Sequence, residues 1–374
     1  MLFFRGSRVA IEAENSTRQT ALSVKNTATE IKSVAVSTST VYNPTAGASY
    51  AHHPHIIFFK DKFYSVFSIG EKNEEDIGQS MAIAVSEDAV SWSEYEIIAE
   101  GNKATYTVVV PGGLYSTDDR LIAYYATFDY SETCVDTSSG KAVRPTAENA
   151  VRTNWKMFMA VTYDGINWAH NQLNCGAAVN FAPKQTASGR LIMCGANINP
   201  ITDDITGLSG WKNVTVPIDE AVADGAKLIT ESGFYQTGDG VLHMLFRSNS
   251  EVIYYSESYD DGASWTRPYP TNFKSDSSKF AVGRLPNGLY YWIGNTSVNN
   301  VRTPLTLFTS SDGFNFDKEY IIKAGSYTHQ FEGLYKDGAY SYPSTFVKDG
   351  NLYIIYSIGK EKIEISKISI ADLK

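Results

Sequence analysis

The sequence predicts an all-β chain folded as a β-propeller, and three observations carry the prediction. A hairpin unit recurs along the chain, a turn built on Asp and an aromatic residue recurs after it, and helix signals are nearly absent. Only AVADGAK at 221–227 reads as a helix.

The hairpins come first, because a fixed repeat decides the architecture. HIIFFKDKFYSVFS, FYQTGDGVLHMLFRS, KFAVGRLPNGLYYWIG and STFVKDGNLYIIYSIG each place two β-rich runs around a Lys-Asp, Asp-Gly or Asn-Gly turn. SGRLIMCGAN at 188–197 and STDDRLIAYYATF at 116–128 are looser versions, which makes six hairpins.

The second repeat is the pattern S-x-D-x-G-x-[ST]-W, the Asp-box, complete from Ser258 to Trp265. Shortened copies are SEDAVSW ending at Trp92, TYDGINW ending at Trp168 and SSDGFNF ending at Phe316. The Asp accepts hydrogen bonds from its own turn, Gly permits positive φ, and the aromatic packs between neighbouring sheets. These four aromatics are therefore expected buried at equivalent positions. The box aspartates, at 88, 164, 260 and 312, leave room for a blade without a box at 178–220.

Six hairpins imply six blades of about four strands each, with five or seven as alternatives. The last blade, from 343 onward, offers three strands, so an N-terminal strand at 31–39 is expected to complete it and close the ring. The chain then reads as one domain, with residues 1–45 as the closing segment and 46–374 as blades. The polar run SETCVDTSSGKAVRPTAEN at 132–149 reads as a long surface loop.

Composition narrows the function. A formal charge of −9 without any Lys/Arg-rich run argues against nucleic acid or an anionic membrane as partner. No stretch approaches the ~20 apolar residues of a membrane span. The opening MLFFRGSRVAIEAENS is not a secretory signal, so the chain is read as cytoplasmic or as secreted with its signal removed. Cys134, Cys175 and Cys194 have no metal-ligand spacing and read as free thiols. No cofactor or metal is expected, and a closed ring needs no second copy. With 24 Tyr and 18 Phe, the chain is rich in side chains on which sugars stack; Tyr124, Tyr125, Tyr130, Tyr235 and Trp292 are such platforms in principle.

The segment ESGFYQTGDGVLHMLFRS, Glu231 to Ser248, resembles the sialidase segment in which a Glu precedes a hairpin ending in Arg. The resemblance implies that Glu231 polarises a tyrosine nucleophile and that Arg247 helps to hold a substrate carboxylate. NVRTPLTLFTSSDG resembles the strand that carries a second such arginine, Arg302. AYSYPSTFVKDGNLYIIYS resembles the stretch with the nucleophile; Tyr340 and Tyr342 both fit, and Tyr342 is preferred because it sits just before the hairpin strand. GEKNEEDIGQ resembles the loop of the acid/base aspartate, which nominates Asp76. A tyrosine with a pKa of ~10 needs a carboxylate base, a role that Glu231 fills.

The chain departs from the family where sialidases place Arg-Ile-Pro. It reads His52-His53-Pro54-His55 there. An imidazole cannot fork onto a carboxylate as a guanidinium does, so weak activity on sialosides is expected, with Arg152 and Arg284 as replacement donors. Strand alternation would point His53 away from His52 and His55, which argues against a metal site. Three readings follow: a retaining exo-glycosidase for a terminal acidic sugar, an oligosaccharide or glycoconjugate end. The second is a uronate lyase or rhamnosidase-like propeller enzyme with His52 or His53 as base and a tyrosine as acid. The third is a carbohydrate-binding propeller without catalysis.

Overall fold

A computed structural model describes residues 24–131, 151–178, 181–223, 225–227 and 229–374. The expected loop at 132–149 and Cys134 lie outside the described residues. Four of the six predicted hairpins are the inner half of a sheet, 116–128 and 188–197 each cover the second strand of one, and the described strands form six sheets. The first contains Tyr50–Phe59, Lys62–Gly70, Ser80–Ser86 and Glu96–Ala99; the second Thr107–Ser116, Leu121–Tyr130, Arg152–Thr162 and Ala169–Leu173. The third contains Lys184–Gln185, Leu191–Ile192, Ile198–Thr202 and Lys212–Thr215, and the fourth Ile229–Gln236, Leu242–Ser248, Val252–Ser258 and Tyr269–Lys274. Ala281–Arg284, Tyr290–Gly294, Leu305–Ser310 and Lys318–Lys323 make the fifth, and Tyr340–Lys348, Asn351–Ile358 and Lys362–Ser369 the last.

Each sheet is an antiparallel meander whose inner hairpin turns on two to five residues. Lys60 and Asp61 both have positive φ, 44° and 64°, the twist that a tight hairpin requires. Apolar clusters fill the space between successive sheets. Phe67 and Ala82 meet Tyr353 and Ile355 across the seam between the first and last sheets, which closes the cycle. The first strands of neighbouring sheets contact one another and so lie innermost. This is the β-propeller the repeats predict.

The closure differs in detail. The strand that completes the last sheet is Ser37–Tyr42, paired antiparallel with Lys362–Ser369, and not 31–39. Ile31–Lys32 instead runs parallel to Lys318–Lys323 of the fifth sheet. Lys25–Asn26 bridges Asn272 of the fourth sheet and Asn315–Phe316 in the Asp-box turn of the fifth. The N-terminal segment is thus a belt across three sheets. The one α-helix among the described residues, α1 (Ile218–Ala223), starts three residues before the stretch expected to be helical. No described helix is long and apolar enough to cross a membrane.

The four Asp-box turns share one hydrogen-bond pattern. Ser86, Thr162, Ser258 and Ser310 donate to Asp88, Asp164, Asp260 and Asp312 at 2.8–3.0 Å. Each aspartate then accepts main-chain N–H groups of its own turn, such as Phe314 and Asn315 on Asp312 at 2.8 Å. The burial expectation holds for Trp265 and Phe316, at 7% and 0% exposure. Trp92 and Trp168 are half-buried, packed against the margins of their inter-sheet clusters. The blade read as lacking a box carries a lengthened one. Asp204 accepts the N–H groups of Thr206 and Ser209 at 2.9 and 3.0 Å, and Trp211 behind it is buried. The expected stacking platforms are core residues: Tyr124, Tyr125, Tyr130, Tyr235 and Trp292 are all buried, and Tyr124 and Tyr235 spend their hydroxyls on the carbonyls of Gly207 and Gly313.

Candidate functional site

Three innermost strands carry a β-bulge near their entry point, and each bulge presents a predicted site residue. The register slips by one residue between His52 and His55, between Thr230 and Ser232, and between Ser341 and Ser344. An extra residue in one strand bends it and re-aims a side chain. His53 and Tyr342 hold φ of 52° and 57°, left-handed backbone that costs a non-glycine residue on the order of 1 kcal/mol. Glu231 is the extra residue of the second bulge.

At the centre stands Tyr342, 7% exposed. Arg247 Nη1 lies 2.9 Å from its hydroxyl oxygen and 2.6 Å from Glu231 Oε2. Glu231 also hydrogen-bonds Tyr342. Burial raises the Tyr342 pKa well above 10, and Glu231 adds to the rise, so the phenol is protonated at rest. Burial alone would raise Glu231 as well, but Arg247, the Tyr342 hydroxyl and Lys279 outweigh it and hold the carboxyl below 4.5. Tyr340, the other tyrosine of the pair, donates to the Ala324 carbonyl at 3.0 Å and packs in an inter-sheet core.

Arg302 reaches the same centre. Its guanidinium carbon is 6.0 Å from the Tyr342 ring centre, and Nη1 donates to Ser341 Oγ at 3.1 Å. The buried Asp276 carboxylate accepts the Arg302 main-chain N–H at 3.2 Å and fixes the loop. Gly338 is required beside it, since a Cβ there would come within 2.4 Å of Arg302 Cδ.

The bulge also places His52 and His53 on one side, where strict alternation separates them. Their ring centres are 4.4 Å apart, and lie 4.2 and 5.1 Å from that of Tyr342. His52 Nδ1 pairs with Ser357 Oγ at 2.6 Å and His53 Nδ1 with Ser68 Oγ at 3.0 Å. Burial pushes the His52 pKa well below 6.5 and that of His53 down to about 4, so both rings are neutral at pH 7. His55 turns aside to Ser344.

The 70–79 loop supplies a carboxylate, Glu74. Its Oε1 lies 3.9 Å from His52 Nε2, and its Oε2 accepts from the buried Lys360 at 2.9 Å. Ligand atoms of His52, His53 and Glu74 fall within 4.8 Å of one another, a spacing at which a metal ion could sit. The argument from alternation against such a site therefore fails. Charge argues against it instead: Lys360, Arg302 and Lys279 all press positive potential on His52. Asp76 is buried, with its carboxylate on the main-chain and side-chain amides of Asn73 at 2.8 and 2.9 Å.

Two predicted donors lie apart from Tyr342. Arg152 is on the same face, but its guanidinium pairs with Glu75 and stacks over Phe128. Arg284 stands at the far end of its strand beside the hairpin turn, over Tyr290, and lines a separate pocket with Lys184. Sequence reasoning missed Glu74, Lys360 and Lys279. Lys279 opens the fifth hairpin at the strand-entry position that Glu231 and Tyr342 occupy in theirs, a signal the repeat itself contained. Cys175 and Cys194 are free thiols, half-buried and buried.

A ring of meandering sheets with Asp-box turns and a Tyr–Glu–Arg cluster at its inner strand entries defines a sialidase-like β-propeller. The sequence model of the BNR repeat-like domain matches residues 61–354, more than three quarters of the chain, and the chain belongs to that family. Among solved structures it resembles a Dyadobacter fermentans protein of unknown function at 16% identity and a TM-score of 0.67, over 90% of this chain and 99% of that one. It resembles the NanB sialidase of Streptococcus pneumoniae at 13% identity and a TM-score of 0.64, over 89% and 71%. The intramolecular trans-sialidase of Ruminococcus gnavus follows at 12% identity and 0.62, over 90% and 98%. At such identities the likeness is one of fold. No curated protein sequence matches the chain.

Proposed function

We propose that the chain is a retaining exo-glycosidase acting on a terminal acidic sugar, in a propeller with one blade per sheet. The observation that carries this reading is the Tyr342 hydroxyl held by Glu231 and by Arg247 Nη1 at 2.9 Å. A buried phenol becomes a nucleophile when an adjacent carboxylate accepts its proton, and Glu231 is ionised and in contact. Tyr342 Oη attacks the anomeric carbon as its proton passes to Glu231, and water then releases the sugar. Sialidases depart from the two-carboxylate rule of glycosidases in this way.

The leaving oxygen needs a proton donor. We assign it to Asp76 of the 70–79 loop, the buried carboxylate that Asn73 holds in place, because Glu74 is already ion-paired with Lys360. Arg247 and Arg302 hold the sugar's anion. With His52 and His53 in place of a third guanidinium, sialosides are turned over poorly; losing a buried charge-assisted pair costs ~2–5 kcal/mol.

A second reading has its own support. The neutral rings of His52 and His53 stand beside Tyr342, a base and an acid for β-elimination on a uronate whose carboxylate is neutralised by Arg247. Incubation with a panel of sialosides and uronic-acid-capped oligosaccharides separates the readings. A hydrolase releases a saturated sugar, a lyase makes a product absorbing in the near ultraviolet, and a binding protein yields neither.

A further inference from the structure

We propose that Lys279 is the third cation of the anion clamp and sets the preference for a carboxylated sugar. The inference rests on the reading of this centre as a site for an acidic sugar, and names the residue that replaces the missing guanidinium.

Lys279 immediately precedes the innermost strand Ala281–Arg284 by one residue, Phe280, and is 1% exposed. Its ammonium lies 4.7 Å from the centre of the Phe181 ring and 5.8 Å from that of Tyr342. Among the described residues nothing accepts a hydrogen bond from Nζ; its nearest formal countercharge is Glu231, already engaged by Arg247. A buried ammonium with three donors and no acceptor is costly unless a ligand supplies one. Its neighbours point the same way. Arg247 and Arg302 each keep a buried Nε–H without a partner. Three cationic groups thus surround Tyr342 with donors left over, and a substrate carboxylate offers the acceptors they lack. Burial draws the Lys279 pKa down to about 7, the direction expected of an ammonium awaiting its counterion.

A lysine kept for folding would behave differently from one kept for a ligand. Lys279→Met removes an uncompensated charge and preserves the packing on Phe181, so it is expected to hold or raise Tm. The test is calorimetric binding of glucuronic acid and N-acetylneuraminic acid, each beside its uncharged methyl ester, to wild type, Lys279→Met and Lys279→Arg. The expected result is wild-type preference for the free acids, a ~30-fold or greater loss of that preference in Lys279→Met, and unchanged ester binding. Partial recovery is expected in Lys279→Arg. Retention of the full acid preference by Lys279→Met overturns the assignment alone, as does an equal loss for acid and ester or a fall in Tm. Absence of any acid preference in the wild type overturns both the assignment and the acidic-sugar reading.

Discussion

Arg247 Nη1 lies 2.6 Å from Glu231 and 2.9 Å from the Tyr342 hydroxyl, a residue 95 positions away on another sheet. One guanidinium edge therefore ties together two inner-strand entries. It also keeps Glu231 ionised beside a phenol that stays protonated. A static pair of this kind has direction: the proton can move only from Tyr342 to Glu231.

The 70–79 loop is the first place to test this. Asp76→Asn is expected to lower kcat ~100-fold or more, since general acid catalysis contributes about 10²–10⁴. Glu74→Gln leaves the buried Lys360 without its counterion, and its loss of activity is expected to accompany a loss of Tm. Steady-state kinetics with thermal melts on both variants check this. A larger kcat effect in Glu74→Gln at constant Tm would move the acid to Glu74.

Stability should fall on mild acidification because of the buried imidazoles. His53 titrates near 4 when folded and near 6.5 when unfolded, so the unfolded chain binds protons that the folded chain refuses. The contribution is complete above pH ~6.5 and is lost as pH falls toward about 4, on the order of 3 kcal/mol in all. His243, also held down to about 4 by burial, adds to the same limb. Urea melts across this range should show the slope, and His53→Gln should flatten part of it. An unchanged slope in that variant would place His53 in solvent.

The box turns should carry stability and no activity. Burial raises Asp312, but main-chain N–H donors from Asn315 and Phe314 and the Ser310 hydroxyl prevail and hold it below 3.8. Its contribution is present above that unfolded value and lost as pH falls through the lower folded one. Asp312→Ala is expected to cost about 1 kcal/mol, or ~2 °C in Tm, with kcat/KM unchanged. Thermal melts beside kinetics decide it.

Chelation should leave catalysis intact. His52, His53 and Glu74 are spaced for an ion, yet Lys360 already neutralises Glu74 and Arg302 and Lys279 add repulsion. Full activity after dialysis against a chelator is expected. Loss of activity restored by a divalent ion would make the cluster a metal centre.

The fold was legible because its signals are local. Asp-Gly hairpins and Ser-x-Asp turns satisfy their own backbones, so each announces itself within eight residues. The turn at Asp204 escaped because inserted residues lengthen it before Trp211. Site residues were legible only where a resemblance named them. A bulge adds one residue with no compositional mark, so alternation misplaced His53 relative to His52. Glu74 is set by loop packing across sheets, and a single charge in a polar run does not reveal which member turns inward, whereas Lys279 stands at the strand-entry position of its hairpin. Charge alone nominates Arg152 and Arg284; one has a partner in Glu75 and the other stands at the far strand end.

The central claim is that Tyr342 attacks the sugar, and the most direct measurement is to trap that bond. A fluorosugar with a good leaving group, as the fluorosialyl and fluoroglucuronyl fluorides, accumulates the glycosyl-enzyme of a retaining glycosidase. Peptide mapping by mass spectrometry after incubation should locate one adduct on Tyr342, absent from Tyr342→Phe and slowed in Glu231→Gln. An adduct on another residue, or an unsaturated product from a uronate substrate with no adduct at all, would contradict the account.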